Sequence, residues 1–447
     1  MRVLVIGGGE VGQNVARVLS GERHDVTLID QDAARVEALQ GEIDALVLAG
    51  NGASPRFLRD VSAGEADLLV AVTQRDETNV IAALAGHQLG AHQTIARVRD
   101  PDYFGPGDSF ARDELGIDFL INPERATAED LAEAILLPGA VHVEYFAEDR
   151  VAVAESILTE RSPLLGLSLA ERRRVRPHSI IGIIRDGQAV PCEPGHRPRV
   201  ADHVLVAAAR EDIRPVVADL AGHAERVHEA VVFGGGRIGL HLARRLQESD
   251  EVAVTVMERD RERARYIAER LPGTTVLHEE GVGREVLLSQ GVDRAGAFVA
   301  CAGDDRANLL AALHAKKLGA GICMAVVSSE EFIPLVDALG IDTAVSPRLV
   351  TSEAILRAVR GENVRAMYLL LGGAEVLEVQ ADTGCRAEGR TIEQTDSMAR
   401  THIAAIVRDG RVILPEKGRE TVRGSDRLVV FNARPGVADV ERAFTAP

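Results

Sequence analysis

The sequence predicts an α/β fold built from two doubly wound parallel-sheet units, each followed by a small antiparallel α+β module. The opening stretch "RVLVIGGGEVGQNVARVLS" returns near the middle of the chain as "EAVVFGGGRIGLHLARRLQ", with Gly7, Gly9 and Gly12 matched by Gly234, Gly236 and Gly239. Between such landmarks, strand-like runs at Val3–Ile6, Asp25–Ile29 and Leu68–Val72 alternate with helical spacings, the pattern of βαβ repeats. A later segment is also written twice, "SIIGIIRDGQAVPCEPGHRPRVADHVLVAAAR" from Ser179 and "HIAAIVRDGRVILPEKGRETVRGSDRLVVFNAR" from His402. Self-similarity on this scale gives the order A, B, A′, B′.

Each element has its own warrant. "LLVAVTQRDETNVIAALAGHQLGA" from Leu68 is echoed by "AFVACAGDDRANLLAALHAKKLGA" from Ala297, so Asn79 matches Asn308 in a strand-loop-helix unit. "INPERATAEDLAEAILLPGAV" and "VSPRLVTSEAILRAVRGENV" each read as a helix opened by proline, which suits the first helical turn. In the B units, β-branched runs flank Asp186-Gly187 and Asp409-Gly410, a strong hairpin signal. The register places the units at 1–123, 142–226, 228–346 and 363–445.

A chain of 447 residues is too long for one core. With 46% hydrophobic residues, 3% aromatics and no Trp, its cores must be made of Val, Leu, Ile and Ala. A formal charge of −17 repels phosphate backbones and argues against a main role on nucleic acid. No apolar stretch approaches a membrane span and no signal-peptide pattern follows Met1, which predicts a cytosolic protein. Cys192, Cys301, Cys323 and Cys385 are scattered, so small buried thiols are expected rather than disulfides or a metal site. The basic run "ERRRVRP" from Glu171 is short and free of aromatics, as expected of a solvated helix face or a salt-bridge strip.

The glycine spacing G-x-G-x-x-G has a mechanical meaning when it joins a strand to a helix. Its first glycine makes the tight turn, the second lets a pyrophosphate approach the backbone, and the third lets helix and strand pack closely. Phosphate then rests on the helix N-terminus. Gly7, Gly8, Gly9, Glu10, Val11 and Gly12 form the first such turn, and Asp30 ends the following strand, where a carboxylate accepts from the adenosine ribose hydroxyls. That acid disfavours a 2′-phosphate, so NAD(H) or an adenine nucleotide such as ATP or ADP is expected rather than NADP(H). Gly234, Gly235, Gly236, Arg237, Ile238, Gly239 and Glu258 repeat the arrangement.

Other polar residues fall at the carboxyl ends of predicted parallel strands, the ligand side of such a sheet. They are Asn51, Gly52, Thr73, Gln74 and Arg97, the last able to reach a phosphate or to remain a solvated cation. Asp76 and Asp305 either cap the next helix or touch ligand. In the second copy Ala302 replaces Thr73 and Val326 stands near the Arg97 position, so that half should bind differently or more weakly.

A hydride-transferring enzyme needs a positioned acid or base and a second-substrate pocket. His87, His241 and His314 lie on predicted helices as packing or surface residues, and no catalytic motif is evident. A duplicated cofactor fold without catalytic residues suggests a sensor, in which occupancy biases a conformational equilibrium. An NAD-dependent oxidoreductase using the second A unit as its substrate domain is the enzyme alternative, and a scaffold with vestigial sites is a third.

The stretches "RVLVIGGGEVGQNVARVLS", "LVLAGNGASPRFLRDVSAGEADLLVAVTQRDETN", "IARVRDPDY" and "VVFGGGRIGLHLARRL" resemble the regulatory subunits of Trk-type potassium uptake systems, the TrkA family. The resemblance covers essentially the whole chain. It implies two RCK N-terminal domains of Rossmann type, each followed by an RCK C-terminal domain. It also implies a cytosolic protein without turnover that binds NAD(H), and in some members ATP or ADP. Such a protein assembles as a ring, here expected to be a homotetramer, on the inner face of the membrane beneath a potassium-translocating subunit. Gly7 to Val11, Asp30, Thr73, Gln74 and Arg97 stand at the family's nucleotide-contacting positions, with Gly234 to Ile238 and Glu258 in the second site. The loop "HEEGVG" from His278 departs from the family's usual Gly-Asp-Ala-like turn, which puts that loop's contacts in question.

Overall fold

The computed structural model describes residues 1–447 apart from 22, 105–114, 170, 172–176, 186–187, 191–194, 223–225, 280, 282, 360–363, 370–373, 400, 416–419, 434–437 and 447. Asp186-Gly187, Cys192 and most of the "ERRRVRP" run therefore lie outside the described residues, as do Glu280 and Val282 of the "HEEGVG" loop.

In the first half, β1 (Arg2–Ile6), α1 (Glu10–Gly21), β2 (Asp25–Asp30), α2 (Ala33–Leu39), β3 (Leu46–Ala49), α3 (Pro55–Asp60), β4 (Leu68–Ala71), α4 (Asp76–Leu89), β5 (Gln93–Arg97) and β6 (Phe119–Ile121) alternate along the chain. Their sheet runs β3-β2-β1-β4-β5-β6, parallel throughout. This is the Rossmann strand order, whose reversal between β1 and β4 opens a ligand crevice at the strands' carboxyl ends. β1 is apolar along its whole inner length because helices cover both faces, leaving Val3 and Val5 with no exposed surface. α1 presents Val11, Val15, Ala16 and Leu19 to that core at helical spacing.

After α5 (Pro123–Leu136), the chain forms β7 (His142–Phe146), β8 (Val151–Ile157), β9 (Ser179–Arg185), β10 (Gln188–Val190), β11 (His203–Ala209) and α6 (Arg210–Leu220). These strands make the antiparallel sheet β10-β9-β11-β8-β7. The second half repeats the scheme through β12 (Glu229–Phe233), α7 (Arg237–Glu248), β13 (Ala253–Glu258), α8 (Arg261–Arg270), β14 (Thr275–His278), α9 (Arg284–Ser289), β15 (Ala297–Ala300), α10 (Asp305–Leu318), β16 (Ile322–Val326), α11 (Ile333–Leu339) and β17 (Thr343–Val345). Its parallel sheet is β14-β13-β12-β15-β16-β17. α12 (Pro347–Val359) then leads into β18 (Val364–Leu369), β19 (Glu375–Gln380), α13 (Ile392–Ala399), β20 (His402–Arg408), β21 (Arg411–Ile413), β22 (Arg427–Asn432) and α14 (Ala438–Phe444). Those strands form the antiparallel sheet β18-β19-β22-β20-β21. The chain is thus two Rossmann-like parallel-sheet domains, each followed by a small antiparallel domain, as the sequence predicts. Asp409 and Gly410, at φ +49° and +74°, make the expected tight turn between β20 and β21.

The two halves exchange helices. Ala128, Leu131, Ala132 and Ile135 of α5 are buried against Leu242, Ala243 and Leu246 of α7 in the second half. In return, Ile355 and Leu356 of α12 join Val11, Val15 and Leu19 in the core of the first. Full burial of one Leu or Ile side chain contributes about 1.5–3 kcal/mol, so four such side chains tie the halves together strongly. The antiparallel sheets also share one core, in which Phe146, Val153 and Leu205 meet Val376, Val429 and Phe431. A Cβ on Gly182 would stand 2.8 Å from the Phe431 ring, so glycine lets the sheets close at that point. Arg185 grips Asp202 through Nε and Nη2, each at 2.7 Å, and Arg408 grips Asp426 in the same two-pronged way at 2.8 and 2.7 Å.

Glu133 lies in the last turn of α5, where the helix leads into β7. Burial pushes the Glu133 carboxyl up to about 7, with Asp130, Glu144 and Glu129 adding to the rise and His142 opposing it. A carboxyl raised in the folded state supports stability fully below its ordinary value near 4.5, and that support is lost as pH climbs through about 7. Glu133→Gln is therefore expected to raise the melting temperature relative to the parent at pH 8 and to change it little at pH 4.5. Thermal unfolding of both proteins at the two pH values measures the difference.

Candidate functional site

Both glycine turns have the geometry their spacing demands. Gly7 adopts φ +111° and hands its N–H to Ile29 O at 2.7 Å, turning the chain sharply out of β1. A Cβ on Gly12 would lie 1.9 Å from Gly7 O, which brings α1 hard against the turn. A Cβ on Gly9 would meet nothing within 4 Å, so that glycine faces open space at the N-terminus of α1. The second copy repeats this, with Gly234 at φ +107°, a Gly239 Cβ 2.0 Å from Gly234 O, and a Gly236 Cβ no closer than 3.9 Å to any neighbour. Beneath it, Cys301 Sγ donates to Gly234 O at 3.3 Å, and burial pushes the thiol up to about 12, so it is an inert packing group. Cys323 and Cys385 are likewise buried, as the sequence reading expects.

Each turn is latched by the acid of the next strand. Asp30 is 7% exposed. Its Oδ2 accepts from Gly8 N at 2.7 Å and from Arg35 Nη1 at 3.1 Å, while Oδ1 accepts from Asp32 N at 2.8 Å. A carboxylate has about four lone-pair positions, so this arrangement holds it in place and leaves room for a further donor such as a ribose hydroxyl. Glu258 does the same with Gly235 N at 2.7 Å and Asp260 N at 2.8 Å. Arg237 and Ile238 begin α7, as Glu10 and Val11 begin α1.

The remaining predicted residues divide. Thr73 follows β4 at the crevice, with Gln74 exposed beside it. The Thr73 hydroxyl donates to Asn79 Oδ1 at 2.7 Å. Asn51 turns its Oδ1 back onto Ala53 N at 3.0 Å, shaping its own loop. Gly52 passes so close to β1 that a Cβ would sit 2.2 Å from Ile6 Cγ2. Arg97 ends β5 with a buried Nε that has no hydrogen-bond partner. Burial and then the Arg99 cation lower its proton affinity, partly offset by Glu124 and Asp76. Val326 does occupy the Arg97 position in the second copy, so that rim lacks the cation.

Sequence reasoning missed the asparagine clamp. Asn79 is fully buried, takes Thr73 N at 2.8 Å on Oδ1, and donates from Nδ2 to Thr73 O at 3.0 Å and Arg97 O at 2.8 Å. Asn308 binds Ala302 N, Ala302 O and Val326 O in the same pattern. The available signal was a polar residue repeated in register on an otherwise apolar helix face. Capping by Asp76 and Asp305 is corrected by the structure. Asp76 reaches across to Arg99 N and Asp100 N, both at 2.9 Å, and Asp305 to Ser328 N and Ser329 N. Each pins the loop that leaves the neighbouring strand. The cap of α10 is instead Asp304, which accepts from Ala307 N at 2.8 Å.

Burial and then the cations of Arg244, Arg125 and Arg237 lower the proton affinity of His241 on α7. Among the described residues, no group of three His, Cys, Asp or Glu side chains is placed to hold a metal ion, and no helix is long and apolar enough to cross a membrane.

Fold and turns together define a tandem Rossmann-type protein in which each parallel sheet carries a glycine turn latched by a buried carboxylate. The TrkA-N domain family matches residues 3–123 and 230–347. Over 99% of its length the chain is 32% identical to the Trk system potassium uptake protein TrkA of Azorhizobium caulinodans, covering 98% of that protein. It is 31% identical, with the same coverage, to the protein of that name from Haemophilus influenzae. The chain belongs to the TrkA family. Its fold is also that of the GsuK channel solved with NAD, at TM-score 0.64 and 17% identity, covering 99% of this chain and 78% of the other.

Proposed function

We propose that the protein is a cytosolic regulatory subunit of a membrane potassium-uptake system, binding NAD(H) or ATP/ADP at its glycine turns without turning them over. On this reading residues 1–123 and 228–346 bind nucleotide, and 142–226 and 363–445 are the RCK C-terminal domains through which a homotetrameric ring reads it out. The observation that carries the reading is the pair of turns, each with an open second glycine and a buried carboxylate latched to the loop. Family membership supplies the transport context, since its relatives are Trk potassium-uptake proteins. Gly7 to Gly12, Asp30, Asn51, Gly52, Thr73, Gln74 and Arg97 line the first site, and Gly234 to Gly239 with Glu258 line the second.

Exchange of α5 and α12 supports a sensing role. A ligand drawn into one crevice moves a sheet whose outer helix belongs to the other half, and coupling of about 1–3 kcal/mol is typical of such devices. The test is potassium uptake in cells that depend on this subunit, with the parent and with Asp30→Ala. Uptake is expected to lose its response to the nucleotide that the parent binds. A variant that no longer binds nucleotide yet keeps both uptake and its nucleotide response would refute the switch.

A further inference from the structure

We infer that Arg348, carried by the second half of the chain, is a specificity-determining residue of the first nucleotide site, where it reads the phosphate charge of a nucleoside polyphosphate. The inference rests on the nucleotide-binding reading given above. Arg348 lies in the first turn of α12, immediately after Pro347. Its Nη1 forms an ion pair with the Glu10 carboxylate. Glu10 is the first residue of α1, next to the open face of Gly9, so the guanidinium has been delivered to the end of the helix where a phosphate rests. Delivery is firm because Ile355 and Leu356, further along α12, are buried in the first core with Val11 and Val15.

Magnitude argues against a purely structural role for the pair. The two side chains are 36% and 56% exposed, and an ion pair this exposed adds little to stability. Asp30 and Glu10 border the site, Arg35 is already engaged with Asp30 at 3.1 Å, and a helix N-terminus offers only about half a positive charge. A ligand with several phosphate charges therefore needs further cations. On the opposite rim stands Arg97, whose buried Nε has no partner. Across the first site, Arg348 and Arg97 supply those charges from two sides.

The charges are reversed in register at the second turn. Arg237 stands where Glu10 does at the glycine turn, and Glu124, which pairs with Arg99 at 3.5 Å, follows the opening proline of α5 as Arg348 follows that of α12. There the cation belongs to the loop itself. Only at the first site does it arrive on the exchanged helix, so only there does a polyphosphate compete with Glu10 for a group owned by the other half.

The experiment measures binding of AMP, ADP and ATP to the full chain carrying Glu258→Ala, which silences the second site, with and without Arg348→Ala or Glu10→Gln. Arg348→Ala is expected to weaken ATP by about tenfold or more, AMP by less than twofold, and to leave the melting temperature nearly unchanged. Glu10→Gln should have the opposite sign, tightening ATP because the guanidinium is released. Arg348→Lys should recover part of the ATP affinity. An ion pair with only a structural role would move both single variants the same way, and that result, or ATP affinity indifferent to Arg348, overturns the proposal. Failure of the unsubstituted chain to bind any of the three would instead defeat the nucleotide-binding reading itself.

Discussion

Gly12→Ala is expected to destabilise the first Rossmann-like domain by about 2 kcal/mol or more, although alanine is ordinarily the better helix former. In an exposed helix interior the exchange would stabilise by about 1 kcal/mol. Here the new Cβ would stand 1.9 Å from Gly7 O, a backbone atom fixed by its own turn, and overpacking of this kind costs about 1–3 kcal/mol and occasionally more. The steric cost wins. Gly9→Ala is the informative control, because its Cβ meets nothing within 4 Å. That variant should unfold at nearly the parent temperature while binding nucleotide more weakly, since the methyl group enters the space left for phosphate. Calorimetric unfolding with and without ligand separates the two outcomes, and equal destabilisation by both substitutions would contradict the assignment of roles to the glycines.

Asn79→Leu should be at least as damaging. Leucine matches the volume but leaves Thr73 N, Thr73 O and Arg97 O without the partners that Asn79 gives them. Each buried group left unsatisfied costs about 1–3 kcal/mol, so a loss of about 3 kcal/mol or more is expected, concentrated where β4 and β5 end. Because those ends carry Thr73 and Arg97, nucleotide binding at the first site should weaken too. Hydrogen exchange is the direct readout. The Thr73 amide should lose protection in Asn79→Leu while the corresponding Ala302 amide, held by Asn308, keeps it.

How much of this was legible in the sequence depended on whether the physics was local. The turns at Gly7 and Gly234 were readable because φ near +110° and contact with a following helix leave a fixed spacing of glycines. Asp30 and Glu258 were readable because a strand's last residue faces the crevice. The Asp409-Gly410 hairpin was readable for the same reason, as two adjacent residues with positive φ. By contrast, the apolar stripe of α5 announces that one face is buried but not that Leu242 and Leu246 of the other half bury it. The reach of Asp76 to Arg99 N and the grip of Arg185 on Asp202 depend on which strands become neighbours. Composition around a residue cannot report that. The Arg348 contact with Glu10 depends on helix exchange and was invisible for the same reason.

Isothermal titration of the full chain with NADH and with ATP, repeated on the Asp30→Ala/Glu258→Ala double variant and followed by chromatography of the recovered nucleotide, tests the central claim most directly. Saturable binding by the parent, its loss in the double variant, and nucleotide returned chemically unchanged are the results expected of a sensor. Unaltered affinity in the double variant, or conversion of the nucleotide during the titration, would contradict it.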